Sequence, residues 1–359
     1  MKVALIGVGQ AGGKITQRLA EYDHEMGFGA VQGALAVNTA RADLQNLDVD
    51  TMLVGRDRVK GHGVGGDNEL GAEIVQDEAT EVLDALDAHL TSEVEAVVIV
   101  AGLGGGTGSG GAPSLARELK RIHDLPIYVL GVLPGRDEGA IYQANAGRSL
   151  KTVAREADSL LLVDNDAWHS AGESVQAGYE EINDNVAQRF GLLFAAGETE
   201  AVDAVAESVV DSSEIINTLR PGGMAAVGYA SAAASPDAGD NVNAITSTTR
   251  NALLTGTSVP NVVKAQTGLL VVAGEPERIS RKGVERARNW LEEETGSMEV
   301  RGGDFPLTSD RLASLVLLGG VERSDRIEEF LDRAREAQDA EDATPEPEDF
   351  GAEELEDLF

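Results

Sequence analysis

The sequence predicts an α/β protein: an N-terminal, Rossmann-like domain on a parallel sheet, a long central helix, and a C-terminal α/β domain with a mixed sheet. Three observations carry this. Unbroken apolar runs such as EAVVIVAGL and SLLLVDND alternate with segments of helical period, the pattern of strands covered on both faces. Two glycine clusters, GVGQAGGK and GLGGGTGSGG, each follow such a run and open a helix. The 359 residues are enough for two hydrophobic cores.

The elements follow in order. KVALIGV predicts a buried strand and AGGKITQRLAEYD a helix; GALAVNT is a second strand. ELGAEIVQDEATEVLDALDAHL keeps apolar residues at helical spacing and predicts helix. EAVVIVAGL, GAPSLARELKRI and IYVLGVLP give strand, helix and strand, and SLLLVDND a further strand. SVQAGYEEINDNVAQRFGLLFAAG predicts the central helix. From about Pro221 the strands become GMAAVGYASA, TGLLVVAG, SMEVRGG and ASLVLLGG, with helices near 243–255, 278–295 and 323–337. The expected division is a nucleotide-binding domain over 1–170, the central helix over 171–197, a C-terminal domain over 198–337, and an acidic tail over 338–359. The tail is too polar to bury a core, so disorder is expected. Its terminal ELEDLF is either a docking motif for a protein partner or a solubilising end.

Composition excludes several classes. There is no cysteine, hence no disulfide and no thiolate metal site. The five histidines lack ligand spacing. The N-terminal apolar run is broken at once by glycine, unlike a signal peptide, and no apolar run nears the ~20 residues of a membrane helix. A soluble, cytoplasmic protein is expected. The net charge is −33, with seven lysines against 22 arginines. Such a surface repels nucleic acid. It suits molar salt, where the Debye length of ~3 Å screens self-repulsion, and this points to a halophilic source.

Glycine carries the largest backbone entropy cost on folding, so seven in the ten residues Gly102–Gly111 need a reason. Both clusters sit where an open α/β sheet binds ligands, at a strand's carboxyl end and a helix N-terminus. A phosphate chain lying against this backbone is the expectation. Gly7–Gly12 fits GxGxxG, but the second strand ends in Asn38 and Thr39, where a dinucleotide site wants an acid for the ribose. A Walker A loop fails too, with Val8 at its first glycine position and Ile15 after Lys14.

Two strings are more specific. Gly104-Gly105-Gly106-Thr107-Gly108-Ser109-Gly110 resembles the GGGTG[ST]G signature of the tubulin/FtsZ superfamily, and Gly9-Gln10-Ala11-Gly12 resembles the first nucleotide loop of tubulin, which here continues into Gly13 and Lys14. The resemblance runs nearly end to end. Asn38-Thr39 resembles the second loop, with Ala40 where FtsZ often has aspartate. Gly61–Gly65, with Gly63 and Gly65, is similar to the GxGAG loop. Pro134 with Glu138 resembles the ribose segment; Tyr142 replaces the arginine usual in FtsZ. Asn165 ends a strand where the family places a guanine-binding asparagine. Tyr179 and Asn183, four apart on one helical face, resemble tubulin's base platform and base-reading amide.

Asp211-Ser212-Ser213-Glu214 resembles the DxxE synergy loop of α-tubulin, with Val209 where FtsZ has its asparagine. The resemblance implies the tubulin/FtsZ fold, binding of GTP and GDP with Mg²⁺, and hydrolysis in which Asp211 and Glu214 orient water at the next subunit's γ-phosphate. Such head-to-tail contact does not close and builds filaments. Gln10, Tyr179, Asn183 and Glu214 lean to tubulin, while length and tail lean to FtsZ. With the acid-rich surface, the mixture resembles the CetZ family of archaeal tubulin-like proteins, associated with cell shape and motility. The alternatives are an FtsZ-type division-ring GTPase, a non-hydrolysing nucleotide scaffold and, from another class, a nicotinamide-dependent oxidoreductase.

Overall fold

The computed structural model describes residues 1–168, 175–198 and 210–342. Its strands are β1 (Val3–Val8), β2 (Val31–Asn38), β3 (Asp50–Leu53), β4 (Ala96–Gly102), β5 (Ile127–Leu133), β6 (Ser159–Asp164), β7 (Met224–Ala233), β8 (Ala265–Gly274), β9 (Glu299–Pro306) and β10 (Arg311–Val321). Its helices are α1 (Gly9–Met26), α2 (Arg41–Leu44), α3 (Arg56–Val59), α4 (Asn68–Asp77), α5 (Ala79–Asp87), α6 (Gly106–Ile122), α7 (Ala140–Glu156), α8 (Val175–Ala196), α9 (Ser212–Leu219), α10 (Val242–Leu254), α11 (Arg281–Thr295) and α12 (Asp325–Asp342).

The strands form one ten-stranded sheet in the order β3-β2-β1-β4-β5-β6-β7-β10-β8-β9. β3 to β6 are parallel throughout. β10 then pairs antiparallel with both β7 and β8, and β8 pairs parallel with β9. β1, β4, β5 and β6 are buried on both faces. The period of two along each strand divides the core. Val97 and Ile99 of β4 face the layer holding Ile74 of α4 and Leu115 and Leu119 of α6. Val98 and Val100 face the layer holding Ile15 and Leu19 of α1 and Phe190 and Phe194 of α8. Each such side chain contributes about 1.5–3 kcal/mol by leaving water, which is why the strands read as continuous apolar runs.

The expected mixed C-terminal sheet is present, but it is continuous with the N-terminal one. The seam is a short parallel pairing of β6 with β7, Leu160 to Met224 and Leu161 to Ala225. At the same level Arg189 of α8 is buried over the Trp168 ring, 4.3 Å from its centroid, and donates to the Gly256 carbonyl at 3.2 Å. Burial pushes its pKa down to about 10, which still leaves it charged at neutral pH.

Other expectations need correction. The helix predicted over 69–90 is two helices, with Glu78 at the joint accepting from the Gly55 amide at 2.7 Å. Strand β3 and helix α7 carried no strand or helix prediction. α12 continues past the expected tail boundary at 338, as far as Asp342. The remainder of the predicted disordered tail, including ELEDLF, lies outside the described residues, as does Val209.

Candidate functional site

At the carboxyl ends of β1, β2, β4 and β5 a cavity of about 500 Å³ opens, within the usual range for a ligand site. From the first loop Gly9, Gln10, Ala11 and Lys14 line it, and from the end of β2 Asn38 and Thr39. Gly63 and Gly65 face it from the loop before α4. Gly104, Gly105, Gly106, Thr107 and Gly108 form one wall; Pro134, Glu138 and Asn165 form another. Tyr179 and Asn183 of α8 complete it. Eighteen residues predicted from seven separate stretches thus converge.

Four predicted binding residues do not line the cavity. Gly12 packs against the Val100 carbonyl and Gly13 against Leu47. The Ser109 hydroxyl donates to the carbonyl of Gly105, the residue before its own helix, and Gly110 abuts Asn68 of α4. The glycine run therefore has a second cause beside any ligand. A Cβ on Gly106 would lie 2.5 Å from Val64 Cγ2, and one on Gly108 2.7 Å from the Gly102 carbonyl oxygen. These positions let α6 pack closely on α4 and on the strand ends. Gly105 alone in Gly104–Gly110 has nothing within 4 Å of a Cβ, so open cavity is what it faces.

The cavity suits an anion. The residues before α1 and α6, Val8 and Gly105, make no side-chain cap, and neither helix has an acid in its first turn. In contrast, α4 and α9 are capped by Asp67 and Asp211. In a chain with 62 acids, two bare helix N-termini aimed at one cavity leave amide donors for an outside acceptor. Gly9 enters α1 with φ 77°, a left-handed conformation that glycine adopts at little cost, and a Cβ there would lie 3.0 Å from the Gly108 amide nitrogen.

Side-chain hydrogen bonds hold the loops, and one of the residues that make them, Asn145, was not singled out in the sequence. The buried Thr39 and Thr107 hydroxyls bond each other at 2.7 Å. Asn145 of α7, also buried, donates from Nδ2 to the Gly66 carbonyl at 2.7 Å and the Gly104 carbonyl at 3.1 Å. One amide so fixes both glycine loops. An amide in the buried stretch of a helix is the signal that could have revealed it. At the other end, Glu138 Oε1 accepts from the Gly135 amide at 2.8 Å and from Asn165 Nδ2 at 3.3 Å. Tyr142 and Tyr179 both line the cavity with over a third of their surface exposed. Partial burial raises the Tyr179 pKa, and the nearby Glu138 carboxylate adds to this.

Asp211 and Glu214 lie elsewhere. Ser212 Oγ donates to Glu95 Oε1 at 2.5 Å, and Glu95 immediately precedes β4. The cavity follows β4's other end, at Gly102. A strand of this length spans about 20 Å. The two carboxylates differ. Asp211 caps α9, accepting from the Glu214 amide at 3.1 Å, and the Ser213 hydroxyl holds its pKa below the ordinary value. Partial burial raises that of Glu214, with the Asp211 charge adding to it. Glu214 is thus the stronger base and Asp211 a helix cap.

Comparison with known proteins gives the family. Residues 2–173 match the model of the tubulin/FtsZ family GTPase domain, and residues 172–336 that of the tubulin-like CetZ C-terminal domain. The tubulin-like protein CetZ2 of Haloferax volcanii is 64% identical over the full length of both chains. The chain belongs to the CetZ family of tubulin-like proteins. The solved CetZ2 structure, a GTPγS-bound protofilament, superposes with a TM-score of 0.92, covering 96% of this CetZ chain and 100% of that one. CetZ1 of the same organism, a GDP-bound monomer, gives 0.86 at 52% identity, covering 94% and 100%. FtsZ of M. jannaschii, 20% identical with a TM-score of 0.72 over 89% and 88% of the chains, shares the fold.

Proposed function

We propose that this chain binds GTP and GDP in the cavity, polymerises head to tail, and hydrolyses GTP where one subunit's Glu214 meets the next subunit's nucleotide. The observation that carries this is the placement of cavity and Glu214 at opposite ends of β4. A half-site at each end of one subunit is completed by stacking subunits, and the contact is heterologous. That CetZ2 of Haloferax volcanii was solved as a GTPγS-bound protofilament supports it.

The bare N-termini of α1 and α6 and the glycine loops would receive the phosphates. Tyr179, half-exposed on α8, offers a stacking face for the base, and Asn183 lies one turn on. Asn165, held through Nδ2 by Glu138, has its Oδ1 to accept from the N1–H and N2–H₂ edge of guanine. Glu214 would orient and deprotonate the attacking water, with its raised pKa suiting a base.

The protein's own donors do not make a magnesium cage. Among the described residues no group of three or more His, Asp or Glu could hold a metal ion. Asp43, at the cavity, accepts from Asn38 Nδ2, and Glu138 accepts from Gly135 and Asn165. The chemistry assigned to this chain is therefore binding, orientation and proton transfer.

Residues 1–170 would carry the nucleotide, 171–197 the linking helix, and 198–337 the activating carboxylate. A cytoplasmic filament controlling cell shape or motility is the role that family membership favours, and the segment after α12 is where a protein partner would dock. Light scattering at high salt, with GTP turnover in the same sample, tests the central claim. Scattering and turnover per subunit should rise together with protein concentration. Turnover that is flat with concentration would refute a shared site.

A further inference from the structure

The C-terminal helix reaches back to the base end of the cavity. Arg326, in the first turn of α12, is 94% buried by side-chain exposure of 6%, and Asp164 is buried to 1%. Its guanidinium bonds Asp164 through Nε at 2.5 Å and Nη2 at 3.0 Å, and Asp166 through Nη2 at 2.5 Å. These aspartates are the two neighbours of Asn165. Asp164 also accepts from the Asp166 amide at 3.1 Å, which winds Asn165 into a single 3₁₀ turn. One turn along α12, Glu329 accepts from Arg136 Nη2 at 3.0 Å. Arg136 belongs to the loop carrying Glu138, and its amide donates to Asp166 at 3.1 Å. Both flanks of Asn165 are thus tied to α12, while Glu138 holds its side chain.

We infer that Arg326 is a positioning residue for nucleotide specificity: by gripping Asp164 and Asp166 together it fixes the Asn165 amide against the guanine edge. This rests on the guanine-nucleotide reading above. A planar fork can hold two carboxylates at once, and a lysine ammonium cannot reproduce that geometry. A ligand-reading amide loses discrimination when its frame loosens, because a misplaced partner leaves polar groups unpaired in either complex.

The test compares GTP with inosine triphosphate, which lacks only the 2-amino group, by competition binding to the full chain at high salt. Wild type is expected to favour GTP about tenfold or more, the range for one unpaired polar group. Arg326→Lys and Asp166→Asn should each lower that ratio about threefold or more, with lysine giving no rescue. Asp166 is partly exposed, so its variant decides the matter alone if Arg326→Lys fails to fold. Leu291→Ala, on the buried face of α11, serves as a control that lowers melting temperature and keeps the ratio. Unchanged ratios in the folded variants would overturn the inference, as would an equal fall in the control. A wild type without preference for GTP over both inosine and adenosine triphosphates would remove the guanine reading itself, and this inference with it.

Discussion

Gly110 of α6 lies directly against the backbone carbonyl of Asn68 on α4, with no room between them for a Cβ. Gly105, five residues earlier in the same signature, faces open cavity. The signature therefore serves packing at one end and opens onto the cavity at the other.

Gly110→Ala should lower stability by about 1–3 kcal/mol, the usual cost of overpacking, with nucleotide affinity lost only as the fold loosens. Gly105→Ala should leave the melting temperature nearly unchanged, since φ there is −73° and space is open, while weakening GTP binding about tenfold. Thermal melts and titrations on both variants check this. The reverse pattern, with Gly105→Ala the less stable, would contradict it.

Guanine nucleotides should bind about a hundredfold or more tighter than adenine ones. Asn165 and Asn183 can both pair with the guanine edge, and each polar group left unpaired by adenine costs ~1–3 kcal/mol. Comparable competition by ATP and GTP would end the guanine reading.

Glu214→Ala should spare GTP binding and cut turnover strongly, and polymers should form but persist. Mixed with Gly105→Ala, it should restore activity above that of either variant alone, because one subunit supplies an intact pocket and the other an intact Glu214. If mixing restores nothing, and wild-type turnover per subunit is flat with concentration, catalysis belongs to a single subunit.

A base with a raised pKa sets a direction for pH. Turnover should fall on acidification at a pH above the ordinary glutamate range, because Glu214 must be ionised to take a proton. Stability runs the other way: a carboxyl whose folded pKa is raised destabilises the fold once pH climbs above its unfolded pKa. Glu214→Gln should therefore raise the melting temperature slightly at neutral pH while abolishing turnover. A melting temperature that drops in this variant would show that the charge is stabilising.

Removal of 343–359 should leave melting temperature and GTP binding as they are. The last buried apolar residue of α12 is Ala334, which packs against Gly147 of α7. Cutting instead before Phe330 should destabilise strongly, since Phe330 and Leu331 belong to the core. A large melting shift on the shorter truncation would show that the segment packs on the body.

The parallel strands, α1, α6 and the central helix were legible because each is local: buried strands are continuous apolar runs, and helices that cover them repeat every 3.6 residues. β3 and α7 were not. β3 is an edge strand of four residues, two exposed and two half-buried, so it carries no apolar run. α7 buries Gln143, Asn145 and Ser149 among small residues, which dilutes its apolar stripe. The break at Glu78 is fixed by Gly55, from a different element, and no local pattern announces it.

By itself the sequence determined the chemistry the chain can offer: glycines for close approach, amides for a base edge and a tyrosine face at the cavity, and a paired DxxE away from it. Those depend on residue types and short spacings, which the chain carries wherever it folds. Only the tertiary structure decided which glycines face the cavity and which face another element, because a missing Cβ looks the same in sequence whatever lies opposite. It also separated Asp211, committed to the α9 backbone, from Glu214, whose pKa partial burial raises. Finally it brought Arg326 to the flanks of Asn165 across 160 residues of chain. Buried charge pairs form where folding leaves no water to solvate them, and that is a property of the assembled core.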